Sequence, residues 1–197
     1  MLVQREIYRK FVDAAAAKAK TIRLGPGIDR ETKMGPLVSA EQRDRVAGYL
    51  ELGRGEAKVA AGGGRPRQLE KGWYVEPTIF YDVDNSARIA QEEIFGPVMS
   101  VIPFTDEAEA IRIANETPYG LAAAVWTRDI FKAFRVVKAL EAGIVWVNHM
   151  QPTFVEAPWG GYKMSGFGRE LGHWGVEEYL ETKQVFINLD ERPIGWY

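Results

Sequence analysis

The fold is decided by residues 99–148, which read MSVIPFTDEAEAIRIANETPYGLAAAVWTRDIFKAFRVVKALEAGIVWVN. Three apolar runs in this stretch have the length of buried strands. They lie at residues 99–104, 121–126 and 144–147. Segments of helical length separate the runs. Strands that alternate with helices predict right-handed βαβ crossovers, and hence an α/β fold with a mostly parallel sheet flanked by helices.

Two helices are predicted between these strands. Thr105 caps the first helix and is followed by Asp106 and Glu107, which suit a first turn because the helix dipole favours acids there. The second helix covers residues 129–140. Each helix is long enough to cross the sheet before the next strand begins.

The sequence before residue 99 adds further helices and short strands. Apolar residues at helical spacing predict a helix over residues 4–20. Ser39 and Gln42 form a capping box that opens a second helix, which ends by Gly53 or Gly55. Short β segments are predicted at residues 58–61 and 74–83, the latter interrupted by Pro77.

The sequence after residue 148 ends in a strand of a different kind. A short helix near residues 174–179 precedes it. The strand itself is predicted over residues 182–189, where Val185, Ile187 and Leu189 share one face. A terminal strand that follows a glycine-rich stretch can pair outside the domain that precedes it.

The composition is that of a folded globular protein. The chain has 197 residues, 46% hydrophobic and 26% charged, enough for one domain or slightly more. A net charge of −2 provides no basic field for nucleic acid, and no apolar run approaches the roughly 20 residues that span a bilayer. The first 20 residues are charged, unlike a secretory signal. These features predict a soluble cytoplasmic protein without nucleic-acid or membrane partners.

The chain contains no cysteine and only two histidines, His149 and His173. The absence of cysteine excludes disulfides, thiolate metal sites and a cysteine nucleophile within this chain. The two histidines are far apart in sequence, so no metal site is predicted.

Residues 92–97, Glu-Glu-Ile-Phe-Gly-Pro, form the first candidate site. Neighbouring side chains on extended backbone lie on opposite sides. One of the two carboxylates is therefore expected to face a pocket and the other solvent. A plain surface turn is the alternative.

Residues 158–170 form the second candidate site, a loop of aromatic, glycine and charged residues. Glycines let the backbone approach a ligand or another chain closely, and long loops with large aromatics are usually functional. The loop contains Gly166-Phe167-Gly168, but Leu171 occupies the position of the third glycine of a dinucleotide fingerprint. That motif is therefore not assigned to phosphate binding, and a packed structural loop remains an alternative.

These two segments together resemble the aldehyde dehydrogenase superfamily. Residues 91–98 (QEEIFGPV) resemble its cofactor-contacting segment, and residues 158–172 (PWGGYKMSGFGRELG) resemble its C-terminal signature. Within the superfamily, residues 143–148 (GIVWVN) and 157–161 (APWGG) are most similar to betaine aldehyde and aminoaldehyde dehydrogenases. The resemblance runs along the whole chain.

The resemblance implies roles for five residues. Glu93 would hydrogen-bond the nicotinamide ribose, with Phe95 beside the ring. Trp159 would line the aldehyde pocket, Ile144 would lie near the same pocket, and Glu170 would lie on a proton path. The implied cofactor is NAD or NADP in the full-length enzyme, with none bound by this chain alone.

The resemblance also implies what lies outside the chain. Family members are longer, and their nucleotide-binding domain, cysteine nucleophile and general-base glutamate would all precede Met1. Residues 1–180 would then be an incomplete catalytic domain, and residues 181–197 an oligomerisation strand and tail that joins a neighbouring subunit of a homo-oligomer. Such a chain is expected to be inactive by itself.

Two alternatives stay open. The chain can be a folded scaffold or oligomerisation module without catalysis. It can also belong to a semialdehyde-type dehydrogenase, whose full pocket would lack further aromatics.

Overall fold

The computed structural model describes residues 1–192 and residue 195. Pro193, Ile194, Trp196 and Tyr197, which belong to the predicted tail, lie outside the described residues. The α-helices are α1 (Tyr8–Lys20), α2 (Ala40–Glu56), α3 (Arg88–Gln91), α4 (Glu107–Asn115), α5 (Ile130–Ala139) and α6 (Gly172–Glu177). The strands are β1 (Leu2–Gln4), β2 (Lys58–Ala61), β3 (Thr78–Tyr81), β4 (Val98–Phe104), β5 (Tyr119–Gly120), β6 (Ala122–Val125), β7 (Ile144–Val147) and β8 (Tyr162–Lys163).

The chain divides into two compact units, of which the first contains residues 1–118 and 130–140. This unit is built on a four-stranded sheet with the order β1-β4-β3-β2. Strand β4 runs parallel to both β1 and β3, whereas β2 is antiparallel to β3. The sheet is therefore mixed.

Alternation along the strands of this sheet builds two hydrophobic clusters. Ile79 and Val101 pack with residues of α1 in one cluster, while their neighbours Phe80 and Ile102 pack with Val46 of α2 in the other. Consecutive strand residues lie on opposite faces, so helices are needed on both sides of the sheet. This arrangement confirms the predicted sheet flanked by helices.

The second unit contains residues 119–129 and the residues from 141 onward. Strands β6 and β7 pair in parallel, with Ala124 opposite Trp146. Strands β5 and β8 pair in antiparallel orientation. The parallel pair β6–β7, separated in sequence by α5, agrees with the second predicted crossover. The first predicted crossover, from β4 to β6, is wrong, because β4 pairs with β1 and β3 in the four-stranded sheet.

Three local predictions need correction. The helix predicted from residue 4 begins at Tyr8, because residues 2–4 pair with β4 as β1. The N-cap of α4 is Asp106 rather than Thr105, since the Asp106 side chain accepts a hydrogen bond from the Glu109 amide. The Ser39 hydroxyl caps α2 as predicted, but the capping box is only half formed because the Gln42 side chain bonds elsewhere.

The strand predicted over residues 182–189 is absent from the single chain. Residues 181–190 have no regular secondary structure. A strand exists only when a neighbouring strand bonds its backbone, and residues 1–192 supply none to that segment. Pairing with another subunit, and the domain boundary at residues 180–181, stay predictions.

Two classes of feature are missing from the part of the chain that the structure describes. Every helix there is too short or too polar to cross a membrane. Within the same residues, no group of three or more histidine, cysteine, aspartate or glutamate side chains is placed to hold a metal ion.

Candidate functional sites

The acidic segment, residues 92–97, connects α3 to β4 in the first unit. Its two neighbouring carboxylates have different surroundings. Glu92 is partly buried, whereas Glu93 is exposed. This difference agrees with the alternation that the sequence predicts.

Glu92 is held by two side chains from different elements. Tyr49 on α2 donates its hydroxyl to Glu92 Oε2 at 2.7 Å, and Arg88 on α3 donates two N–H groups at 2.7 and 2.9 Å. These hydrogen bonds, the one from Arg88 foremost, lower the pKa of Glu92 from 4.5 to about 2. The same contact raises the pKa of Tyr49. Glu92 is therefore an ionised structural group near neutral pH.

Glu93 has a free carboxylate and a bonded backbone. Among the described residues, no hydrogen bond or ion pair involves its carboxylate. Its carbonyl oxygen accepts a hydrogen bond from Arg45 Nη2 at 2.6 Å. A carboxylate presented in this way can accept hydrogen bonds from hydroxyl groups of a ligand.

Phe95 lies two residues further along, and its side chain is 69% exposed. Its backbone has φ of 52°, a left-handed conformation that is unusual for a bulky residue. Gln42 Nε2 donates to the Phe95 carbonyl at 2.6 Å. An exposed ring beside an exposed carboxylate suits a ligand that combines a flat ring with hydroxyl groups.

Phe95 also borders two open grooves in the first unit. One groove has a volume of about 400 Å³ and is lined by apolar residues that include Leu37 and Val75. The other has a volume of about 420 Å³ and reaches Ile89 and Glu92. The acidic segment thus has accessible space beside its exposed ring.

Trp159 is fixed within the second unit by its backbone and its ring. Its N–H and C=O exchange two hydrogen bonds of 2.7 Å with Glu170. Its ring lies 6.4 Å from the ring of Trp146, tilted by 50°. The Trp146 indole donates to the Pro152 carbonyl at 3.0 Å.

Ile144 shares one face of β7 with Trp146, because the two are separated by two strand positions. The structure therefore brings Ile144, Trp146 and Trp159 to the same side of that strand. The roles that the resemblance implies for Ile144 and Trp159 in a substrate pocket stay predictions. Glu170 is exposed, and its backbone is what binds it to Trp159. Its role on a proton path stays a prediction.

Glycines explain how the loop after residue 157 packs so closely. A Cβ atom on Gly143 would overlap the carbonyl oxygen of Gly160, and one on Gly160 would collide with the carbonyl of Gly168. Arg169 Nη1 then bonds the Gly161 and Gly168 carbonyls at 2.9 and 2.8 Å. The loop is therefore closely packed rather than merely long.

Sequence reasoning missed the side chains that hold these residues. Gln42, Arg45 and Tyr49 lie on one face of α2, but their partners are 43 to 53 positions away in sequence. The polar residues at helical spacing on α2 are visible in the sequence, but the same pattern is equally typical of a helix face exposed to solvent. The sequence places Trp146 in a strand and in the resembling segment 143–148, but it predicts no role for the residue itself.

Comparison with known proteins gives the class to which the chain belongs. Residues 1–185 match the aldehyde dehydrogenase family, so the chain belongs to this family. Its relatives include a betaine aldehyde dehydrogenase of Bacillus subtilis, 48% identical, and the peroxisomal aminoaldehyde dehydrogenase 1 of Pisum sativum, 46% identical. All of this chain is covered in both matches, along with 41% and 39% of the respective relatives.

A solved structure agrees with these relatives. The crystal structure of betaine aldehyde dehydrogenase from Staphylococcus aureus in complex with NAD⁺ matches this fold with a TM-score of 0.94 and 46% identity. The match covers 100% of this chain and 40% of that chain. This chain thus spans about two fifths of the length of the proteins it resembles.

Proposed function

We propose that this chain works as the C-terminal portion of an NAD(P)-dependent aldehyde dehydrogenase that oxidises betaine aldehyde or an aminoaldehyde to the carboxylate. The observation that carries the proposal is the exposed Glu93 carboxylate beside the exposed Phe95 ring. The named activities of the relatives and the NAD⁺ in the Staphylococcus aureus structure support it.

Glu93 and Phe95 are the proposed cofactor contacts. Two hydroxyl groups of the nicotinamide ribose can donate to the Glu93 carboxylate, and the Phe95 ring can flank the nicotinamide. The bound dinucleotide supplies the hydride acceptor. Glu93 and Phe95 orient it, and orientation lowers the barrier because the reacting atoms are already aligned.

Trp159 and Ile144 are the proposed substrate contacts. A trimethylammonium group has no N–H to donate, but the face of an indole attracts it through the ring quadrupole. Trp159, with Trp146 beside it, offers such a surface. Ile144 limits the room on the same side of β7, and its bulk favours an unsubstituted aminoaldehyde over a trimethylated one.

The covalent step needs a thiolate, and this chain has no cysteine. The nucleophile is therefore proposed to lie in another part of the enzyme, with Glu170 on the path by which a proton leaves. Residues 1–197 alone are expected to show no aldehyde oxidation with NAD⁺ or NADP⁺. A reduced-cofactor signal that rises with the amount of this chain would contradict that expectation.

A chimera tests the proposed activity. Residues 1–197 replace the matching 41% of the Bacillus subtilis relative, and oxidation of betaine aldehyde and of an aminoaldehyde is followed with NAD⁺. The chimera should be active, and Glu93→Gln should raise the KM for NAD⁺ by about 10-fold or more, because a hydrogen bond to a charged group is lost. A folded chimera without activity, or a Glu93→Gln variant with unchanged KM, would count against the proposal.

An assembly role is the second candidate. Val185, Phe186, Ile187 and Leu189 are all more than two-thirds exposed in the single chain. An apolar stretch of this kind favours pairing with a second copy of the chain. The two functions are compatible, since the same segment can join subunits of an enzyme.

A further inference from the structure

Side chains of α2 bind three consecutive carbonyl groups of the acidic segment. Arg45 donates to the Glu93 carbonyl at 2.6 Å, and Gln42 donates to those of Ile94 at 3.2 Å and Phe95 at 2.6 Å. Within the described part of the chain, no backbone N–H donates to these carbonyls, because the segment lies between α3 and β4. Helix α2 therefore replaces the missing regular hydrogen bonds.

Apolar contacts also hold the acidic segment against α2. Ile94 is buried in one cluster with Val46 and Leu50 of α2. A Cβ atom on Gly96 would lie only 2.6 Å from Val46 Cγ2. Gly96 thus permits an approach that no other residue would allow.

Tyr49 holds the other end of the segment. Its hydroxyl bonds the Glu92 carboxylate, which Arg88 holds from α3. The Arg45 guanidinium lies 5.6 Å from the Tyr49 ring centre, so the two α2 side chains that act on Glu92 and Glu93 also contact each other. The free Glu93 carboxylate is therefore flanked by fixed backbone on both sides.

We propose that Tyr49 and Glu92 are positioning residues, which act through the backbone to hold the Glu93 carboxylate ready for the cofactor. The inference rests on the proposed function of Glu93. A preordered segment loses little conformational entropy when a ligand binds, so its contacts contribute more fully to affinity. The left-handed backbone of Phe95 is held in the same way by Gln42.

The experiment uses Tyr49→Phe and Glu92→Gln in the chimera described above. Tyr49→Phe removes one hydroxyl and leaves the ring. Each variant should weaken NAD⁺ binding about 3- to 10-fold, in KM and in equilibrium titration, and leave the KM for the aldehyde within about twofold. Tyr49→Phe and Glu93→Gln combined should be less than additive, because both act on one contact.

Glu107→Gln is the matched control. Glu107 binds Arg135 with two hydrogen bonds of 2.8 Å, an arrangement like that of Glu92 with Arg88, but on α4 and α5. It should leave NAD⁺ affinity unchanged. Equal losses for Glu107→Gln and Glu92→Gln would overturn the positioning role, because stability alone would then explain them.

Hydrogen exchange in the cofactor-free chain of residues 1–197 gives an independent readout. Tyr49→Phe should speed exchange of the amides at residues 92–98 by about 3-fold or more, and Glu107→Gln should not. Unchanged hydrogen exchange at residues 92–98 in Tyr49→Phe would contradict the inference. If Glu93→Gln leaves NAD⁺ binding intact while Tyr49→Phe still speeds exchange, the proposed function of Glu93 fails and the positioning of the segment stands.

Discussion

Glu92 gives the chain a defined sensitivity to acid. Its pKa is lowered from 4.5 to about 2 by Arg88 and Tyr49, so its contribution to the free energy of unfolding is fully present above pH 4.5. That contribution is lost as the pH falls from 4.5 through about 2. Glu92→Gln should therefore lower stability at neutral pH and flatten the acid-induced loss in this window, as measured by urea unfolding at a series of pH values.

The adjacent Glu93→Gln variant is the control for this measurement. The Glu93 carboxylate makes no hydrogen bond among the described residues, so its replacement removes no interaction of the kind that Glu92 makes. If both variants flatten the profile equally, the ion pair of Glu92 is not the cause.

Trp159 tests the substrate class. In the active chimera, Trp159→Ala should raise the KM for betaine aldehyde more than the KM for a neutral aldehyde of similar size. One cation–π contact is worth roughly 0.5–2 kcal/mol, so the selective loss should be about 2- to 30-fold. Equal losses on both substrates would mean that Trp159 only packs against Trp146 and Glu170.

Helix α2 is the element on which the acidic segment depends. Ser39 caps it by accepting a hydrogen bond from the Gln42 amide at 3.2 Å. Ser39→Ala should lower the free energy of unfolding by about 1 kcal/mol in urea melts and speed hydrogen exchange at residues 92–98. Asp106→Ala removes the cap of α4 and is the control. It should lower the free energy of unfolding by a similar amount without speeding hydrogen exchange at residues 92–98. Faster exchange at these residues in both variants would argue against a special role for α2.

Elements with strong local patterns were predictable from the sequence. Strand β7 matches its predicted bounds at residues 144–147, because its residues are β-branched or aromatic. The start of α1 was not predictable, since pairing with β4 draws residues 2–4 into a sheet. A helical pattern carries no information about pairing partners that lie 100 positions away, as those of β1 do.

The candidate site was predictable only in part, for a similar reason. The pair Glu92 and Glu93 is visible as a motif, and alternation separates their surroundings. Which of the two glutamates is held by hydrogen bonds depends on Tyr49, which lies 43 positions before Glu92. Such partners become visible only when α2 is placed against the segment.

At the scale of the whole molecule, the C-terminal segment predicts self-association. Val185 and Ile187 are each 71% exposed, and the segment that contains them, residues 181–190, forms no strand in the single chain. The chain should form oligomers at high concentration, and replacing both residues by lysine should shift it toward the monomer in sedimentation experiments. Glutamine in place of both Glu181 and Glu191 changes the net charge by the same amount and serves as the control for charge.

If the unsubstituted chain sediments as a monomer at every concentration, the terminal segment does not join subunits. If the control variants dissociate as readily as the Val185 and Ile187 variants, charge rather than an apolar face explains the shift.

Gly143 limits how the substrate pocket proposed around Trp159 can be redesigned. Because Gly143 has no side chain, the main chain just before β7 packs directly against that of Gly160, and any side chain at residue 143 would force the two apart. Under the proposed function, changes in substrate preference are therefore expected from side-chain volume at Ile144 and Trp159 rather than from a shift of the main chain.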